Sequence, residues 1–84
     1  MKIEIYSKKN CHLCEVMFNT VNESILELNT GYDFNVEVID IETKAELQKY
    51  KLKIPVLMID GKMFAKYEVN KDKLKKKLKS GNFN

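Results

Sequence analysis

Arginine is missing from this chain: all 15 basic residues are lysines. Arginine supplies the two-pronged fork that reads guanine and grips phosphate, so its absence argues against specific nucleic-acid recognition. A lysine-rich, asparagine-rich composition of this kind is what a genome biased in base content would produce. Long apolar runs are missing too. None approaches the ~20 residues needed to cross a bilayer, which excludes a helical membrane span. The opening Met1-Lys2-Ile3-Glu4-Ile5 carries a charge at every second residue and does not read as a signal peptide. There are only two cysteines, too few for a disulfide framework. Without an export signal, such a pair is expected in a reducing cytoplasm, where Cys-x-x-Cys is more often catalytic or metal-binding than structural.

With 84 residues there is room for one domain, read as residues 1–84, with little surplus core. A hydrophobic content of 44% beside 32% charged residues is ordinary for a folded globular chain rather than a disordered one.

Both cysteines stand in Tyr6-Ser7-Lys8-Lys9-Asn10-Cys11-His12-Leu13-Cys14, between a short strand pattern and a long helical one. A thiol at the start of a helix faces backbone N–H groups that lack partners inside the helix. Those donors and the positive end of the dipole favour thiolate over thiol. Lys8, Lys9 and His12 add positive charge nearby. Cys14 follows Cys11 by one helical turn, so the two sulfurs can meet. The stretch reads as an activated nucleophile with a resolving thiol behind it.

Along the chain, Lys2 to Tyr6 alternates with the period of a strand. Leu13, Met17, Val21, Ile25 and Leu28 then form an apolar helical stripe with Cys14 at its head, and Asn29-Thr30-Gly31 supplies a stop. Phe34 to Ile39 alternates again as a second strand. Thr43 and Glu46 fit a capping box for a shorter helix, with Ala45, Leu47 and Tyr50 as its core side. Pro55 breaks that helix. Val56 to Ile59 is a continuously apolar strand of the kind buried on both faces, and Asp60-Gly61 turns it into Lys62 to Lys66. Asn70 caps a last helix, with Val69 and Leu74 as a hydrophobic staple, Leu74 and Leu78 as its apolar side and Ser80-Gly81 as its end. A frayed tail, Asn82-Phe83-Asn84, follows. The order β-α-β-α-β-β-α predicts an α/β fold with a four-stranded mixed sheet flanked by helices, the first two strands parallel and the last two a hairpin.

In this order and spacing, Ile5-Tyr6-Ser7-Lys8, Cys11-His12-Leu13-Cys14 and Ile54-Pro55-Val56 resemble the glutaredoxin and thioredoxin superfamily, and within it the small glutaredoxin-like proteins. The resemblance spans nearly the whole chain and implies a thioredoxin-like fold. It implies that Pro55 is cis and lies beside the dithiol, leaving the Ile54 backbone free to pair with an extended thiol substrate. Lys8 matches a lysine that in glutaredoxins helps hold a glutathione carboxylate. His12 and Leu13, between the cysteines, complete the substrate-facing set. Two departures weigh against glutathione as the partner. The Gly-Gly pair of glutaredoxins is absent from Lys66-Tyr67-Glu68-Val69-Asn70-Lys71-Asp72, and Leu13 replaces the usual aromatic.

The expected chemistry is attack of Cys11 on a disulfide and resolution by a buried, less reactive Cys14, at a potential of roughly −270 to −200 mV. Substrates would be protein or small-molecule disulfides. The reductant would be glutathione, as a possible co-substrate, or a thioredoxin-reductase-type enzyme. A monomer with no bound cofactor is expected.

The alternative is a metal or iron–sulfur carrier using the same cysteines. Two thiolates and His12 fall one short of the four ligands of structural zinc, so a cluster would have to be shared between protomers with external thiols. A c-type haem is excluded, because no histidine follows Cys14. His12 is read as tuning the dithiol through its charge rather than moving protons. Tyr6 and Tyr50 either line a substrate groove or, for Tyr50 above all, belong to the core. Glu15 serves the helix dipole, while Asp40 and Glu42 are caps and surface. The six lysines from Lys71 to Lys79 read first as a solvated helix face, and otherwise as a binding module for an acidic partner.

Overall fold

The computed structural model describes residues 1–28 and 34–81. The expected stop at Asn29-Thr30-Gly31 and the tail Asn82-Phe83-Asn84 lie outside the described residues. Strand β1 (Lys2–Ser7) leads into helix α1 (His12–Leu28), and β2 (Asn35–Asp40) follows. Two short 3-10 helices come next, Ile41–Thr43 and Ala45–Tyr50, then β3 (Val56–Ile59), β4 (Lys62–Lys66) and helix α2 (Lys71–Gly81). The sheet order is β2-β1-β3-β4. β1 runs parallel to β2 and antiparallel to β3, so Ile3 stands between Val36 and Ile59. This is the expected α/β sheet.

Alternation along the strands sends side chains to two cores. On one face Ile3, Ile5, Leu57 and Ile59 meet Met17 and Val21 of α1 and Leu74 and Leu78 of α2. On the other, Tyr6, Ile39, Val56 and Met58 meet Ile41, Leu47 and Ile54, and Cys14 joins them from the first turn of α1. The unbroken apolar run of β3 follows, because every one of its residues is buried under one layer or the other. Each such side chain contributes about 1.5–3 kcal/mol relative to exposure.

The turns obey their residues. Asp60 (φ 49°) and Gly61 (φ 83°) are both left-handed, as a two-residue hairpin requires. Asp60 also ties the hairpin to β1: its N–H donates to the Lys2 carbonyl and its carboxylate accepts the Lys2 N–H, each at 2.8 Å. Asn70 caps α2 by accepting the Lys73 N–H at 3.0 Å. Helices α1 and α2 are bridged by Glu27, which pairs with Lys71 at 2.7 Å and Lys75 at 3.0 Å; Glu23 adds a second contact to Lys71 at 3.2 Å.

Two expectations fail in detail. The segment after β2 is not one capped helix but two 3-10 turns broken at an extended Lys44. The Thr43 hydroxyl donates to the Asp40 carbonyl at 2.7 Å and the Asp40 carboxylate accepts the Glu42 N–H at 2.9 Å, so these groups serve the first turn and no capping box forms. With three residues per turn, Leu47 and Tyr50 align on the core side; Ala45 is exposed. In α1 the buried stripe is Cys14, Met17, Val21 and Ser24. Leu13 is half exposed, because steps of four residues advance 40° around the helix and carry it off the stripe. Ser24 tolerates burial because its hydroxyl donates to the Thr20 carbonyl at 2.7 Å.

Candidate active site

β1 ends at Ser7, and the chain turns through Lys8, Lys9 and a left-handed Asn10 (φ 58°), a conformation that asparagine accepts more readily than most residues. The turn delivers Cys11 to the cap position of α1, one residue earlier than the first helical residue, His12. The Cys11 carbonyl accepts the Glu15 N–H at 3.3 Å, and its Sγ accepts the Cys14 N–H at 3.2 Å. Sulfur here takes the place of the side-chain oxygen of a serine or aspartate cap. Cys11 and Cys14 are joined in a disulfide, their Cα atoms 5.2 Å apart. The two sulfurs are not equivalent in access: Cys11 is half-buried, whereas Cys14 is only 6% exposed.

A cleft of about 390 Å³ opens on the flank of α1 facing β2, reaching both cysteines, with Lys8, Asn10, Phe18 and Val38 on its walls. Ile54 lies elsewhere, in the apolar cluster that holds Cys14 and against which Cys11 packs. Pro55 is buried, and the Ile54–Pro55 peptide is cis. His12 and Leu13 are exposed and belong to neither the cleft nor that cluster. The candidate residues thus divide into Lys8 on the β2 side of the dithiol, Ile54 and Pro55 at the head of β3, and His12 with Leu13 in solvent.

The rings of Tyr6 and Tyr50 meet in the same cluster as Cys14, centroids 5.1 Å apart. Burial raises the Tyr6 pKa above the usual phenol value, and Glu4 and then Tyr50 push it the same way. Among the described residues no three His, Cys, Asp or Glu side chains gather as a metal-ligand set; the site offers two thiols. No helix among the described residues is long and apolar enough to cross a membrane.

Residues 2–79 match the family described as Glutaredoxin-like domain (DUF836). The chain belongs to the glutaredoxin-like family. A glutaredoxin-like relative, the YDR286C homolog of Dictyostelium discoideum, is 30% identical over 77 residues, covering 88% of this chain and 71% of that protein. Among solved structures, the structural-genomics target XcR50 from X. campestris superposes with a TM-score of 0.62 at 22% identity, covering 93% of this chain and 96% of that one. Thioredoxin 1 from Thermosipho africanus TCF52B superposes with a TM-score of 0.56, also at 22% identity, over 98% and 99% of the two chains. The fold is therefore thioredoxin-like.

The stretch Lys66-Tyr67-Glu68-Val69-Asn70-Lys71-Asp72, which runs from the end of β4 into α2, contains no Gly-Gly pair. Tyr67 takes up a left-handed backbone there (φ 69°). Sequence reasoning did not single out Tyr67, since no local pattern marks a bulky residue for positive φ. Phe18 and Val38 were equally unmarked: they read as an ordinary helix residue and an ordinary strand residue.

Proposed function

We propose that this chain is a thiol–disulfide oxidoreductase in which Cys11 is the nucleophile and Cys14 the resolving thiol. The observation that carries the reading is the asymmetry at the helix head. The accessible sulfur accepts a backbone N–H, and the other sulfur sits behind it in the core. In the reduced protein the Cys11 thiolate attacks one sulfur of a substrate disulfide. A Cys11–substrate disulfide forms, and the other half leaves as a thiolate that takes up a proton. Cys14 then gives up its proton and attacks Cys11 Sγ, forming the Cys11–Cys14 bond and releasing the second half as a thiol. Two electrons and two protons pass to the substrate, and an external dithiol or thiol reductant must return them.

Ile54 supports the recognition half of the proposal. Among the described residues its backbone N–H and C=O have no hydrogen-bond partner, while its side chain is fixed in the cluster around Cys14. An extended substrate backbone pairs with that edge as an added strand would. Lys8, on the wall of the cleft, attracts an anionic thiol. Glutathione serves as reductant or co-substrate only if it binds without the Gly-Gly dock of glutaredoxins.

Equilibration against defined thiol–disulfide buffers, followed by acid quench, alkylation and mass measurement, tests the chemistry. A reversible two-electron transition of Cys11–Cys14 between roughly −270 and −200 mV is expected. Cysteines that stay shielded from alkylation until a chelator is added would replace the redox reading with a metal site. Repeating the titration with glutathione alone distinguishes it from a reductase as the source of electrons.

A further inference from the structure

Tyr67 is a bulky side chain on a backbone that such residues avoid. Its φ of 69° falls in the left-handed region, and the N–H of Glu68 reaches back over it to the Lys66 carbonyl at 2.8 Å. A three-residue turn closed this way around positive φ is rare and strained. Strain of this kind persists only where the surroundings hold it in place. Here they do. The Tyr67 N–H donates to the Pro55 carbonyl at 2.7 Å, continuing the β3–β4 pairing one step past Val56 and Lys66. The Tyr67 hydroxyl donates to the Leu52 carbonyl at 3.2 Å. The Lys66 ammonium lies 5.6 Å from the ring centroid.

Both bonds from Tyr67 therefore end on one short segment, and they end on either side of Ile54. Leu52 itself is 81% exposed, while the neighbouring Lys53 N–H donates to the Tyr50 carbonyl at 2.7 Å and Ile54 and Pro55 are buried. Ile54 offers the unpaired backbone edge between the two anchored carbonyls.

We propose that Tyr67 is a positioning residue that presets the Ile54 edge for the extended backbone of a peptide disulfide. It acts through Leu52 and Pro55 rather than on the reacting sulfurs. The inference rests on the redox reading above and adds the residue that sets the edge on which a peptide disulfide would pair. A loop held in the bound geometry lowers the ordering cost of recognition and so acts on binding. Attack by Cys11 on a disulfide without peptide backbone does not use the edge.

Two variants test this, each chosen to fold. Tyr67→Phe removes only the hydroxyl bond. Tyr67→Gly adopts φ 69° without steric cost and keeps the N–H bond to Pro55 while losing the ring. Each is assayed with a disulfide-linked dimer of a short unstructured peptide and with dithiobis(nitrobenzoate), which has no backbone to pair. Loss of one neutral hydrogen bond should raise KM for the peptide about two- to tenfold in Tyr67→Phe. Tyr67→Gly should raise it at least as far. In both variants kcat, the rate with the aromatic disulfide and the Cys11–Cys14 potential should match the wild type. A role confined to fold stability would not separate the two substrates. Unchanged peptide KM in both variants, or an equal loss with both substrates, would overturn the inference alone. Wild-type protein that reduces neither disulfide would overturn the redox reading beneath it.

Discussion

The N–H of Cys14 faces the Sγ of Cys11 across 3.2 Å, while the Cys11 carbonyl takes the N–H of Glu15. One residue thus completes the first turn of α1 twice, with its main chain and with its sulfur. Once the disulfide is opened, that donor and the positive end of the helix stabilise the charged form of the thiol. In the reduced protein the half-buried Cys11 is therefore expected to alkylate faster than the buried Cys14, a difference read by timed alkylation and peptide mass mapping. Equal rates at the two cysteines would show that the helix head does not single out the nucleophile.

Division of labour between the thiols gives opposite phenotypes. Cys11→Ser should reduce disulfide-reductase activity to background. Cys14→Ser should keep the first step and lose the second, so that covalent adducts at Cys11 accumulate and appear by non-reducing mass measurement. Full activity in Cys11→Ser would end the mechanism.

The bridge between the helices predicts a pH dependence. Hydrogen bonds from Lys71 and Lys75 hold the Glu27 carboxyl below its ordinary range, and Glu27 followed by Glu23 raises the Lys71 pKa. The Glu27 contribution is fully present above the ordinary carboxylate pKa and is lost as pH falls through the lowered folded value. That of Lys71 is present below the ordinary lysine pKa and is lost as pH rises through the raised one. Glu27→Gln should therefore lower Tm at neutral pH and converge with the wild type in acid. Because the pair is exposed, the difference should be small and should shrink in ~1 M salt, where the Debye length is about 3 Å.

Core and surface positions of α2 should separate sharply. Leu74 is fully buried among residues of both helices and the sheet. Leu74→Ala should cost about 2–5 kcal/mol in denaturant unfolding. Lys76, exposed on the same helix, should change stability by no more than about 0.5 kcal/mol when replaced by alanine. Equal effects at the two positions would contradict the packing described.

Much of this architecture was legible because local chemistry and the global fold agree. The strand Val56–Ile59, its Asp60-Gly61 turn and the following Lys62–Lys66 appear at the expected residues. There apolar pattern and left-handed turn residues point the same way. The Asn70 cap was equally plain. The middle helix was misread because Thr43 and Asp40 have two possible hydrogen-bond assignments, and only the packed chain chooses between them. Leu13 was misread because a stripe drawn with four-residue steps drifts from the true burial line. At the site, the dithiol was visible from spacing alone. Tyr67 was not, because its meaning lies in bonds to residues 12 and 15 positions earlier in the chain.

The position of β1 has a temporal consequence. One of its edges pairs with β2 and the other with β3, so Ile3 faces both Val36 and Ile59. Synthesis runs from N- to C-terminus, so β1 is made before either of its partners. Its second edge must then wait until Ile59 has been synthesised and cleared the exit tunnel. During that interval the segment leading into Cys11 has only half its hydrogen-bonded support. Full support for the strand that leads into Cys11 therefore comes only with β3, more than forty residues later in the sequence.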